Sequence, residues 1–283
     1  MLSYGPAAKN SQLSVNLWLE DTADHFDTLG ADNAGYTKRK ALTANSSEVD
    51  MMGKLHLDMC FQQRHLISGV DVKLRLIRAN DTFCLVGDGQ CKVKLKDVEV
   101  FCRKVRPSDA VRLAHIKALQ KSTAKNLLRR VEVKSFTLPR ANLSWTKESV
   151  FLGQLPKRLI VGFVDNDAYN GSFQKKNFNL KHYNINYLSL VKDGEQIFSK
   201  ALRPDFDNKN FVRSYLLLFI ETNQYYTDEG NSISRSDCGG GHTLFAFDLT
   251  PELEYLFCKT DTLGHAVLQQ SVTGCGIGGV FAY

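Results

Sequence analysis

Residues 158–164 read RLIVGFV, an apolar run in which both alternating phases are hydrophobic. A strand with one wet face would alternate, so a short run like this needs cover on both sides, as in a strand buried inside layered sheets. A long polar loop follows from Asp165 to about Lys181. Ile185 to Val191 then makes another strand, and Lys192-Asp193-Gly194-Glu195 supplies the Asp-Gly turn of a hairpin into Gln196 and Ile197. The layout is that of a β-sandwich or jelly roll.

Upstream, Ser14 to Leu19 is a short strand candidate, followed by a polar stretch. Leu55, Leu57, Met59 and Phe61 alternate with Lys54, His56, Asp58 and Cys60, and Val70, Val72, Leu74 and Leu76 alternate with Asp71, Lys73 and Arg75. Both have the period of a half-buried strand. In CKVKLKDVEVFCRK the apolar phase shifts between Leu95 and Val98, so a β-bulge near Lys96-Asp97 is expected to keep both halves facing a core. A helix is predicted from 109 to about 121, introduced by Pro107-Ser108. Further strands are predicted at Arg130–Leu138 and Thr243–Leu249, with a domain break near residue 125. Residues 221–242 read as a polar loop, and periodicity leaves Phe211–Ile220 open between a short helix and a buried strand.

At 283 residues and 43% apolar composition the chain can bury a sizeable core. Its net charge of +6 is spread over 36 basic and 30 acidic residues, too dilute to identify a nucleic-acid binder. Cysteines 60, 84, 91, 102, 238, 258 and 275 form an odd set with no C-x-x-C pair, which reads as reduced thiols. No signal-peptide pattern opens the chain, and nowhere do eighteen apolar residues run together, so a soluble intracellular protein of cytoplasm or nucleus is expected.

Motifs that carry chemistry are sparse. No G-x-S-x-G elbow, phosphate-binding loop or H-E-x-x-H helix occurs. Cys238-Gly239-Gly240-Gly241-His242 suggests either a nucleophile beside a base or an anion-cradling nest, but a glycine run before a strand more commonly marks a flexible loop tip. GCGIGGV at Gly274–Val280 lacks the surrounding elements of a dinucleotide site. The histidines are scattered, and Asp165-Asn166-Asp167 lacks the glycine and distal glutamate of a calcium loop. Catalytic residues, cofactor and metal ligands are therefore all expected to be none. Tyr169, Phe173, Phe178, Tyr183 and Tyr187 interleave with Lys175, Lys176 and Lys181, the pattern of a single-stranded nucleic-acid platform. Aromatic residues are equally at home in subunit contacts, which is the preferred reading for Tyr169, Phe173, Phe178 and Tyr183.

Several stretches together resemble a known family. They are LSYGPAAKNSQLS near the start, LRLIRANDTFCLV, RLAHIKALQKSTAKNLLRRVEVKSFTLP, the block from Gly153 to Ile197, EGNSISRSD, and HTLFAFDLTPEL. In collinear order over residues 2 to about 254 they resemble the major capsid protein of Polinton, or Maverick, elements as carried in invertebrate genomes. That family belongs to the double jelly-roll lineage shared with adenoviral hexons and large DNA virus capsids. The resemblance implies an all-β fold of two tandem jelly-roll sandwiches, each incomplete and joined by a helix, in a copy truncated at both ends. Residues 1–107 would be a partial first roll, 108–127 a connector helix and linker, 128–254 a partial second roll, and 255–283 a divergent tail. It implies a structural, non-enzymatic protein of a virus-like transposable element. Such a protein would self-associate into homotrimers and a capsid lattice, with a minor capsid protein as a further partner, and would reside in the virion when assembled. No membrane and no specific nucleic acid are expected as partners. The alternative class is a β-sandwich carbohydrate-binding module or a cupin-like jelly-roll enzyme, the latter wanting clustered histidines.

Overall fold

The computed structural model describes residues 2–62, 64–89, 91–126, 128–129, 131–139, 142–151, 156–228, 230–249, 266–272 and 279–280. In chain order the helices α1 (Pro6–Asn10), α2 (Ala34–Leu42), α3 (Asp58–Phe61), α4 (Asp81–Cys84) and α5 (Asp109–Leu119) come first. They are followed by β1 (Ser144–Lys147), β2 (Arg158–Val164), α6 (Asn166–Asn170), β3 (Ile185–Lys192) and β4 (Glu195–Gln196). Then come α7 (Val212–Glu221), α8 (Arg235–Gly239), β5 (Leu244–Asp248), β6 (Ala266–Val272) and β7 (Gly279–Val280). The chain divides into a larger unit, residues 1–53, 79–92 and 132–283, and a smaller one, residues 54–78 and 93–131.

The larger unit holds the core. Its strands form two antiparallel sheets, ordered β1-β6-β3-β4 and β5-β2-β7. As its sequence demands, β2 is covered on both faces: Leu159, Val161 and Phe163 on one phase and Ile160 and Val164 on the other are all buried. Val161 pairs with Phe245 of β5, whose neighbour Phe247 stacks on Phe198 at 5.1 Å, while Phe163 meets Phe245 edge-on at 6.2 Å. The β3–β4 turn forms as expected, with Asp193 and Gly194 at φ of 51° and 88°, the two left-handed positions that an Asp-Gly turn supplies. The ambiguous 211–220 stretch is helical. Ser214 and Leu218, one turn apart, are its buried side, α7 packs against β5, and Glu221 accepts the Asp248 backbone N–H at 2.7 Å. Helix α8 starts with a capping box between Ser234 and Asp237.

The double jelly roll is not what forms. Of the chain, 26% is helical and 14% strand, and the strands make two small sheets rather than two eight-stranded sandwiches. Of the strand candidate Ser14–Leu19, the first half lies in a 3-10 turn, Gln12–Asn16, and the rest enters no strand. In the smaller unit the period-two stretches 54–61, 70–76 and 93–104 enter no strand among the described residues, and Asp58–Phe61 is a helical turn. The physical reason is that an alternating segment becomes a strand only when a partner takes up its backbone groups and its apolar face. Without one, Val72 and Leu76 are each 59% exposed and Val100 is 56% exposed. Helix α5 matches its predicted span, yet it buries no residue and belongs to the smaller unit. In the region read as a divergent tail, Ala266–Val272 pairs with both β1 and β3 and so occupies an inner position of the larger sheet.

The two units should answer differently to the same kind of truncation. Phe245→Ala, which empties a fully enclosed ring site, is expected to cost about 3–5 kcal/mol. Val72→Ala should cost less than about 0.5 kcal/mol in dilute protein, because the side chain is already in water. Urea denaturation of both variants checks this.

Candidate functional site

Polar groups converge in the larger unit where residues 21–28 lie against the loop 174–184 and the glycine run 239–241. Strand β2 ends at Val164, and Asp165 then caps α6 by accepting the Asp167 N–H at 3.0 Å. The loop returns to the strand when Lys181 donates its backbone N–H to Phe163 O at 2.9 Å. Between these points the three lysines of the lysine-aromatic pattern are committed to carboxylates. Lys175 Nζ sits 2.9 Å from both Asp165 Oδ2 and Asp167 Oδ2. Lys176 Nζ pairs with Asp21, whose other oxygen takes Arg39. Lys181 Nζ pairs with Asp27 Oδ2 at 2.8 Å, and Asp27 also accepts from Lys176 N and Asn179 Nδ2.

Burial shapes the electrostatics. Desolvation lowers Lys176 to about 8 although it faces Asp21, and the Lys175 ammonium is raised by its hydrogen bonds to Asp167 and Asp165. A loop of paired lysines presents few cations to a phosphate chain, so the platform pattern in the sequence is used for internal tethering.

The glycine run is closely packed rather than loose. Asp24 N–H donates to Gly240 O at 2.8 Å, and a Cβ on Gly240 would stand 2.8 Å from Asp24 N. Gly241 has φ +127°, and a Cβ there would come 2.5 Å from the Phe26 ring. The glycines are required for the close approach of residues 24–26. Cys238 beside them is 2% exposed, and burial pushes its thiol up to about 12, which favours the protonated form. His242 is 8% exposed, lies edge-on to Phe26 at 4.5 Å, and is held down to about 4 by burial first and then by Lys176.

A cleft of about 420 Å³ opens here, lined by Asp24, Asn179, Lys181, His182, Tyr183 and Asn184 with the glycine backbone. Tyr183 and Asn184 are consecutive left-handed residues, at φ 45° and 48°. His182 supports that turn, stacking on Phe206 at 4.2 Å and accepting the Asn184 N–H on Nδ1 at 3.0 Å. Among the described residues, no three His, Cys, Asp or Glu side chains converge as a metal site.

The four residues singled out as subunit contacts divide in two. Tyr169 and Phe178 are exposed, the first bonded to Ser135 Oγ at 2.8 Å and the second edge-on to Phe83 at 6.1 Å. Phe173 and Tyr183 are half-buried, and the enclosed Tyr183 hydroxyl, which has no hydrogen-bond partner among the described residues, has its pKa raised by desolvation. Sequence reasoning did not single out Asp21, Asp27, Arg39 and Phe26. The spacing of 155 residues between Asp21 and Lys176 leaves no local signal of their pairing.

Compared with known proteins, no family model matches the chain, and no solved structure matches it. An uncharacterized protein of Caenorhabditis elegans is 25% identical over 260 residues, which cover 88% of this chain. The match spans 59% of that relative's length. Among the described residues, no helix is long and apolar enough to cross a membrane.

The buried histidine gives this cluster a definite pH response. Because the His242 pKa in the fold lies below its ordinary value of 6.5, the unfolded chain binds the proton more readily. Its stabilising contribution is whole above about 6.5 and is lost as pH falls toward about 4, on the order of 3 kcal/mol in full. Urea midpoints should drop across that window, and His242→Leu should flatten the drop.

Proposed function

We propose that this chain is a non-catalytic, self-associating structural subunit, of the capsid type of a virus-like transposable element that its sequence resembles. The observation that carries this reading is the exposed apolar phase of the smaller unit. Val70, Val72, Leu74 and Leu76 lie on one phase of one stretch, Val98 and Val100 on one phase of another, and all are substantially exposed. So many large apolar groups at period two are what a surface that pairs with other chains requires. The larger unit supplies the rigid part. Its conspicuous polar cluster is occupied with its own ion pairs, the Cys238 thiol is buried and raised to about 12, and Asp165 and Asp167 hold Lys175.

Self-association of the full chain tests the proposal. Light scattering coupled to size exclusion should give trimers or larger species whose mass falls on dilution. Val72→Asp combined with Leu74→Asp should shift the distribution to monomer while the larger unit still melts cooperatively. A monodisperse monomer at tens of micromolar, with both units stable, would rule out the assembly role.

A further inference from the structure

The modest overall charge conceals a sharp division. The smaller unit, residues 54–78 and 93–131, contains 16 of the 36 basic residues and only 5 of the 30 acidic ones, a net of +11 against −5 for the remainder. Every Lys and Arg described in it is exposed. They recur in three settings: Lys73 and Arg75 between the valines and leucines of 70–76, Arg103, Lys104 and Arg106 before Pro107, and Arg112, Lys117 and Lys121 on and just after α5. Phe101, two residues before Arg103, is 77% exposed.

We propose that this unit is a docking surface for nucleic acid, held through the phosphate backbone with no sequence preference and with Phe101 stacking on bases of single strands. A field of this density attracts a polyanion over distances of about 8–10 Å at moderate salt, and each lysine or arginine that meets a phosphate releases a bound counterion. In the sequence of 70–76 Lys73 and Arg75 stand, with Asp71, between the apolar residues.

The competing occupant is the acidic unit of a second copy. Nucleic acid is favoured because the remainder's net of −5 falls well short of +11, and four of its carboxylates are already engaged: Asp21 with Arg39 and Lys176, Asp27 with Lys181, Asp165 and Asp167 with Lys175. The site differs from the lysine-aromatic loop, whose cations are consumed. The proposal stands apart from the capsid-type reading, since a chain that stays monomeric can still bind an oligonucleotide.

Fluorescence anisotropy of the full chain with labelled 30-nucleotide single strands and duplexes, titrated with KCl, tests it. Affinity should fall steeply with salt and be indifferent to sequence. Neutralising Lys94, Arg103, Lys104 and Arg106 to glutamine, all exposed, should weaken binding about tenfold or more and flatten the single-strand salt slope by about 3. Phe101→Ala should weaken single-strand binding about fivefold or more and leave duplex binding nearly unchanged. Lys175→Gln with Lys181→Gln should have little effect. No binding at 50 mM KCl, equal binding by the quadruple variant, or loss of binding confined to the Lys175/Lys181 variant would each overturn the proposal. Salt-sensitive self-association in sedimentation with no oligonucleotide bound would overturn it in favour of the acidic face of a second copy.

Discussion

The enclosure of β2 on both faces is the constraint on which the larger unit depends. A seven-residue strand with buried residues on both phases needs neighbours beside it as well as layers above and below it. β5 lies along one edge and β7 along the other, and β5 in turn carries α7. Because β2 ends where Asp165 caps α6, and Lys181 returns to Phe163, the loop between them has fixed ends. That geometry brings Lys175, Lys176 and Lys181 to carboxylates both near and far in sequence. Packing comes first in this chain of causes, and the ion pairs are its consequence.

Those pairs decide where the protein can interact electrostatically. A buried carboxylate such as Asp21, shared between Arg39 and Lys176, contributes little net stability beyond an apolar substitute but is costly to break. Its larger effect is to remove charges from the surface of the larger unit. In the smaller unit acidic residues are few, Arg112 pairs with Asp109 at 3.5 Å, and every described lysine and arginine is exposed. The averaged charge of the whole sequence therefore describes neither part.

What was legible in the sequence follows the range of the interactions involved. RLIVGFV, the Asp-Gly hairpin, the strand near Leu244–Asp248 and helix α5 are specified within a few residues, and each formed close to its predicted span. The alternation at 54–61, 70–76 and 93–104 was equally clear, yet alternation states only that a segment suits a sheet edge, and no partner strand meets it among the described residues. Conversely, Ala266–Val272 alternates weakly, but pairing to β1 and β3 makes it a strand. The polar cluster was only half legible. The lysines and tyrosines formed a visible pattern, whereas their partners at Asp21 and Asp27 lie about 150 residues away, and the role of Gly241 depends on the Phe26 ring beside it.

The central claim is that a self-sufficient core unit accompanies a basic, alternating unit that is completed by other molecules. Hydrogen exchange read by mass spectrometry on the full chain tests it most directly, in dilute protein and again after concentration or addition of an oligonucleotide. Amides of 158–164, 185–191 and 244–248 should be protected throughout, while those of 70–76 and 93–104 exchange fast when dilute and slow down on assembly or binding. Strong protection of 70–76 and 93–104 in the dilute monomer, unchanged by either addition, would contradict it.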